Sequence, residues 1–108
     1  MTDLAGDDLL LTLAALANPH RLRVIAALSG RRSYVSELAR ELRISRPLLQ
    51  MHLRKLEAVG LVTATSEISE DGKAMKFYDI GTFELRLTPE TLTAAAATIT
   101  ADTPGGPS

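Results

Sequence analysis

The sequence contains no cysteine, and aromatic residues make up only 4% of its 108 residues. Without cysteine, the chain forms no disulfide, offers no thiolate to a metal ion and has no cysteine nucleophile. It also has no apolar run of the roughly 18 residues that a membrane-spanning helix needs. With so few rings, the core has to be built from leucine, alanine, isoleucine and valine. A small core of this kind buries little area, so we expect a second subunit to contribute to stability.

The patterns that carry catalysis are missing as well. There is no nucleophile paired with a base, no glycine-rich phosphate loop and no cluster of metal ligands. His20 and His52 are the two histidines, and neither stands in a recognisable acid–base setting. We therefore expect no enzyme and no cofactor. The acidic start, Met1-Thr2-Asp3, is not typical of a signal peptide, and we expect a cytoplasmic protein without a membrane partner.

The net charge of −1 conceals an uneven distribution. Residues 20–60 carry nine arginines or lysines against three glutamates, whereas residues 1–19 have a net charge of −3 and residues 61–108 a net charge of −4. A basic centre between acidic ends is typical of a nucleic-acid-binding surface. The same charges would also suit ordinary solvated helix faces, so charge alone leaves both interpretations open.

Apolar periodicity, capping residues and turn signals predict the order of elements. We expect helices over 7–17, 19–28 and 36–42, a helix between Ser45 and Gly60, and a final helix opening at Thr88-Pro89-Glu90. We expect short strands at 34–35 and 83–87, and a hairpin of 61–68 with 75–80 around an Asp-Gly turn. In the second helix, the residues expected to face inward are Leu22, Ile25, Ala26 and Leu28.

The segment from Ser36 to Gly60 predicts a helix-turn-helix. The two-residue turn Arg43-Ile44 forces two short helices to cross steeply, and Ser45 caps the second one. Its apolar stripe leaves a polar side free, which is typical of a helix that reads the major groove of DNA. Early residues of such a helix reach base edges and later basic residues neutralise phosphates. The residues predicted to contact DNA here are Ser45, Arg46, Leu48, Gln50, Met51, Arg54 and Lys55.

Each of these assignments has a plainer alternative. The polar residues could be merely exposed, and Met51 could fill a gap rather than touch a thymine methyl group. Lys73 and Lys76 on the hairpin are predicted to reach the DNA backbone or minor groove, with ordinary hairpin lysines as the alternative. Arg31 and Arg32 could likewise flank the DNA backbone.

We interpret His52 as structural or phosphate-bonding, and expect Arg21 to pair within the fold.

Several segments carry a family resemblance. These are LAALANPHRLRVI from Leu13, VSELAREL from Val35, ISRP from Ile44 and HLRKLEAVGLV from His52. Over about residues 9–80, the chain resembles the ArsR-type winged-helix regulators. The resemblance implies a mainly α fold with a small antiparallel β wing, a winged helix-turn-helix. It also implies operator binding as a dimer, and release when an effector binds.

The resemblance places the dimer contact on the first and last helices. The first helix is apolar almost all round, which independently calls for a partner surface. The interface residues predicted on this basis are Leu9, Leu10, Leu13, Leu92, Ala96 and Ile99. With no cysteine and only one carboxylate on the last helix, we expect no metal sensing. The predicted DNA-binding and dimerisation domain covers residues 1–100, followed by a disordered tail at 101–108.

A winged helix can also serve as a protein-interaction module, and salt separates this alternative from DNA binding. A complex with double-stranded DNA should lose orders of magnitude in affinity between about 50 mM and about 200 mM salt, because each phosphate contact releases counterions. Fluorescence anisotropy of a labelled duplex measures this loss. The prediction would be contradicted if the chain did not bind duplex DNA. It would also be contradicted if the chain bound a protein through an apolar surface with little salt dependence.

Overall fold

The computed structural model describes residues 4–100, which form five helices around a small sheet. The elements in chain order are α1 (Gly6–Leu16), α2 (Pro19–Gly30), β1 (Ser33–Tyr34), α3 (Val35–Leu42), α4 (Arg46–Ala58), β2 (Val62–Ile68), β3 (Ala74–Ile80) and α5 (Pro89–Ala96). None of the helices in this part of the chain is long and apolar enough to cross a bilayer. The predicted tail at 101–108 lies outside the described residues.

Three of the helices begin at the caps that the sequence predicts. The Asn18 side chain accepts hydrogen bonds from the backbone N–H groups of His20 and Arg21, with Pro19 as the first residue of α2. The Ser45 hydroxyl accepts from the N–H of Leu48 at the start of α4. Thr88 forms a reciprocal capping box with Thr91 ahead of α5. Such caps satisfy amides that have no partner within the helix.

The turn between α3 and α4 has the two-residue geometry expected from the sequence. Arg43 has φ 57° and ψ 44°, in the left-handed region, and it is a non-glycine residue there. The N–H of Ile44 donates to the carbonyl of Ala39 at 3.2 Å, which closes the end of α3. The chain then extends for one residue at Ser45 before α4 begins. This turn sets the direction in which α4 leaves the body of the protein.

The sheet is antiparallel with strand order β1-β3-β2. Val62 pairs with Ile80 at its base and Ile68 with Ala74 near its tip, where Gly72 takes φ +85° in the turn. This confirms the predicted hairpin. β1 lies one residue earlier than expected, and α3 begins at Val35 rather than at Ser36.

The core lies where α2, α3 and α4 meet the base of the hairpin. Fully buried aliphatic side chains from all three helices contact the start of β2 and a buried tyrosine of β3. Burying each large aliphatic side chain stabilises the fold by about 1.5–3 kcal/mol. The buried core residues are Ala15, Val24, Leu28, Leu38, Ala39, Leu49, Leu53, Leu56, Leu61, Val62 and Tyr78.

The inward face of α2 differs from the prediction. Val24 and Leu28 are buried, whereas Leu22 is 55% exposed and Ala26 is also exposed. Residues two apart on a helix lie about 200° from each other around its axis. With Val24 and Leu28 against the core, Leu22 and Ala26 must therefore point outward.

The predicted strand at 83–87 is wrong. Residues 81–88 have no strand assignment, although the alternation that suggested a strand is partly visible in burial: Phe83 and Leu85 are half-buried while Glu84 is exposed. The N–H of Gly81 donates to the carbonyl of Leu61 at 2.8 Å. Beyond that contact the chain runs over the body towards α5 without pairing with a strand, so packing alone produces the alternation.

The two terminal helices meet within one subunit. A Cβ atom added at Gly6 would lie 2.2 Å from the carbonyl oxygen of Ala95, so only glycine allows this approach of α1 to α5. The N–H of Gly6 donates to the Thr98 hydroxyl, and the N–H of Thr100 donates to the Asp7 carboxylate. α5 ends at Ala96, so Ile99 lies beyond the helix on which it was expected.

We predict that Gly6→Ala destabilises the fold by about 1–3 kcal/mol, because the added methyl group meets backbone atoms that cannot rotate away. Gly30→Ala is the matched control, since a Cβ atom there meets nothing within 4 Å. The control should be neutral or stabilising by up to about 1 kcal/mol. Urea denaturation measures both values, and equal midpoints for the two variants would show that the close approach of α1 to α5 is absent.

Candidate nucleic-acid interface

α4 has one face in the core and one face free. Leu49, His52, Leu53 and Leu56 are buried, which fixes the roll of the helix. Among residues 4–100, the opposite face is left largely exposed. The predicted DNA contacts on this helix are exposed at Ser45, Arg46, Leu48, Gln50, Arg54 and Lys55, and half-buried at Met51.

A groove runs between the N-terminal part of α4 and the hairpin. It brings Arg46 and Gln50 of the helix together with Lys73 and Lys76 of the hairpin, four residues predicted separately from the sequence. Its volume is about 500 Å³. The lining residues are Tyr34, Val35, Ser36, Arg46, Gln50, Lys73, Ala74, Met75 and Lys76. The remaining predicted contacts lie outside this lining: Ser45, Leu48, Met51, Arg54 and Lys55.

The cations that the sequence predicts near DNA differ in whether a carboxylate neutralises them. Arg31 pairs with Glu37 at 3.2 Å. Arg32 forms a bidentate ion pair with Glu67, with N–O distances of 2.6 and 3.2 Å. The Arg32 hydrogen bond holds the pKa of Glu67 below its ordinary value, so this carboxylate stays charged and paired. Within residues 4–100, no ion pair is formed by the cations predicted to contact DNA, Arg46, Arg54, Lys55, Lys73 and Lys76. Those charges are available to an anionic ligand.

Arg21 pairs within the fold, as predicted. Its Nη1 donates to the carbonyls of Ala14 and Ala15 at 3.3 Å each, at the C-terminal end of α1, where a cation is favoured by the helix dipole. Its Nε donates to Nδ1 of His52 at 3.1 Å. One side chain of α2 therefore connects α1 to α4.

His52 is 2% exposed, which makes it structural rather than a surface phosphate ligand. Because Nδ1 accepts from Arg21, the neutral ring carries its proton on Nε2. Nε2 has no hydrogen-bond partner among residues 4–100. Burial lowers the pKa of His52, and the charges of Arg21, His20 and Lys55 lower it further. A metal ion would need the Nδ1 lone pair that Arg21 already occupies or the protonated Nε2, and the guanidinium would repel it.

The residues predicted for a dimer contact lie on α1, on α5 and, for Ile99, just beyond α5. Leu10 is 48% exposed, Leu92 44% and Ile99 42%. Ala96 is exposed, and Leu9 and Leu13 are half-buried within the subunit. Large apolar side chains exposed in this number are more typical of an interaction surface than of free solvent contact.

Some residues of the candidate nucleic-acid interface, and some of the exposed apolar residues near the termini, were not indicated by the sequence. Val35 and Ser36 join the groove only because the β1–α3 corner lies beside the start of α4. Leu11 and Leu87 add to the exposed apolar area of the terminal segments. The Arg21–His52 bond joins residues 31 positions apart, and no local pattern indicates that pairing.

A helix-turn-helix followed by a hairpin that leans over the second helix is the winged helix-turn-helix arrangement, a class of DNA-binding proteins. Comparison with known proteins agrees with this class. Residues 18–64 match the family described as bacterial regulatory protein, arsR family. An uncharacterized HTH-type transcriptional regulator of Methanocaldococcus jannaschii is 36% identical over 76 residues, which are 70% of this chain and 79% of that protein.

Solved structures show the same fold. HlyU from Vibrio cholerae is 25% identical with a TM-score of 0.60, over 84% of this chain and 87% of that one. A homodimeric winged helix-turn-helix DNA-binding domain from Mycobacterium bovis, a possible ArsR-family regulator, has a TM-score of 0.62 at 22% identity, over 84% and 74%. The chain belongs to the ArsR family of DNA-binding transcriptional regulators, which are not enzymes.

Proposed function

We propose that the chain is a sequence-specific repressor that binds an inverted-repeat operator as a homodimer in the cytoplasm. The observation that carries the proposal is the groove in which Arg46 and Gln50 of α4 lie beside Lys73 and Lys76 of the hairpin. A domain bound over a promoter excludes other proteins from it, which favours repression. Release by an effector would follow the family pattern.

In this proposal, α4 enters the major groove with its N-terminal residues first. Arg46 and Gln50 face outward from the first turns, where an arginine pairs with the edge of guanine and a glutamine with that of adenine. Arg54 and Lys55 follow on the exposed side further along the helix, at positions suited to phosphates. Lys73 and Lys76 approach the adjacent backbone or minor groove from the hairpin.

The dimer in this proposal forms through α1 and α5. Leu10, Leu92 and Ile99 would be covered by the same residues of a second subunit, as a two-fold axis requires. The homodimeric Mycobacterium bovis domain has the same fold, which supports this assembly. Two recognition helices related in this way meet successive major grooves about 34 Å apart, so the operator is an inverted repeat.

Selection of bound sequences from a random duplex pool tests the DNA-binding proposal, and we expect a symmetric motif. Arg46→Ala should weaken binding to the selected site by about 1–3 kcal/mol and relax preference at one position in each half-site. Arg86→Ala removes the same charge from the exposed segment ahead of α5 and is the matched control. Equal losses in the two variants, with no change in base preference, would show that α4 does not read the bases.

Leu10→Glu and Leu92→Glu test the dimer. Each places a charge on the apolar surface of α1 and α5, and an unpaired charge in an interface is strongly unfavourable. We expect the mass measured by light scattering to fall from that of a dimer to that of a monomer. Ile68→Glu, at a wing residue that is 72% exposed, is the control and should leave the dimer intact. Dissociation of all three variants, or of none, would refute an interface through these helices.

A further inference from the structure

Arg21 occupies a position between the two surfaces that the proposed function requires. Its guanidinium donates to the last carbonyls of α1, the helix of the apolar surface, and to His52 of α4, the helix that carries Arg46 and Gln50. Through these bonds Arg21 links the two helices and restrains the angle between them. That angle determines whether both α4 helices of a dimer can meet successive major grooves.

The bond from Arg21 requires one protonation state of His52. Nδ1 must keep its lone pair to accept from Nε, so the ring must be neutral and its only proton must sit on Nε2. That Nε2–H is buried without an acceptor in residues 4–100. An aliphatic side chain would avoid leaving a buried donor unpaired. The placement of a histidine here therefore needs a reason other than packing.

We infer that Arg21 and His52 are positioning residues that hold α4 in its DNA-binding orientation relative to α1, so that DNA binding requires a neutral His52. The inference rests on the proposal that α4 is the recognition helix. Neither residue has to touch DNA, since Arg21 is directed to the carbonyls of α1 and His52 is buried.

Protonation of His52 would remove the acceptor and place a second cation against Arg21. The groups whose charges act on this ring are Arg21 and His20 from α2 and Lys55 from its own helix, and all of them oppose a positive ring. From α1, the contacts are the carbonyls of Ala14 and Ala15, which hold Arg21 in place. The lowered pKa of His52 keeps the ring neutral near pH 7, and acid breaks the link.

The sign of the pH effect distinguishes this mechanism from general electrostatics. Acid adds positive charge to the protein, which by itself strengthens attraction to DNA. If only the neutral form of His52 holds α4 correctly, acid weakens binding instead. One pH unit below the pKa of His52, the neutral fraction is about a tenth in each subunit, so the affinity of a dimer that needs both subunits neutral falls about a hundredfold.

The experiment is fluorescence anisotropy of the full chain with its selected operator, from about pH 8 to about pH 5 at constant ionic strength. We expect affinity to fall with acid in the wild type. We expect the acid-dependent loss to disappear in His52→Asn, whose side-chain oxygen replaces Nδ1 and does not titrate. His20→Asn is the control, because the His20 ring lies 5.4 Å from the His52 ring, centroid to centroid, and His52 rather than His20 accepts from Arg21 Nε; this variant should keep the loss.

Circular dichroism at each pH separates positioning from unfolding. A neutral buried histidine also stabilises the fold above its unfolded pKa of about 6.5, and this stability decreases as the pH falls towards its lowered native pKa. We expect helicity to be retained where affinity is already reduced. Loss of helicity in step with loss of binding would overturn the inference, as would affinity that stays constant or rises in acid.

Two further variants keep the test informative if His52→Asn folds poorly. His52→Leu removes the unpaired Nε2–H but also takes the acceptor from Arg21 Nε, so we expect a folded protein with weaker operator binding, and unchanged binding would refute the positioning role. Arg46→Ala separates the two proposals. If it weakens binding while acid does not, the coupling alone fails. If it leaves binding unchanged, the recognition-helix proposal fails first.

Discussion

The packing of one face of α4 against the core is the constraint on which the rest of the structure depends. Leu49, Leu53 and Leu56 are fully buried, and each contributes about 1.5–3 kcal/mol when removed from water. Rolling the helix would expose them, so the outward direction of Arg46 is fixed by apolar burial on the opposite side. The left-handed residue Arg43 then decides where the start of α4 lies.

The distribution of charge follows from that constraint. A net charge of −1 gives no general attraction to DNA, so binding depends on where unpaired cations are held. The pairs Arg31–Glu37 and Arg32–Glu67 neutralise cations away from α4, and the second also neutralises an acid of the hairpin. The cations that border the groove carry no such partner within residues 4–100. A nearly neutral protein thereby presents a locally positive surface.

The small core also affects the terminal helices. A core with few aromatic residues leaves part of the apolar surface of α1 and α5 uncovered, and Gly6 lets the two helices approach closely enough to present that surface together. Arg21 connects the far end of α1 to the underside of α4. The proposed dimer surface and the proposed DNA surface are therefore parts of one packed unit, and a change in one can reach the other.

The sequence by itself determined the features that depend on neighbours within a few residues. The Asn18, Ser45 and Thr88 caps, the two-residue turn, the hairpin and the apolar stripe of α4 all follow from local hydrogen bonding and periodicity. The exposure of Leu22 on α2 and the absence of a strand at 83–87 could not be predicted from neighbouring residues, because burial at these positions depends on which other elements pack against them. Only the tertiary structure decided the groove, the Gly6–Ala95 approach and the Arg21–His52 bond, since each joins side chains or backbone brought together by the packing of separate helices.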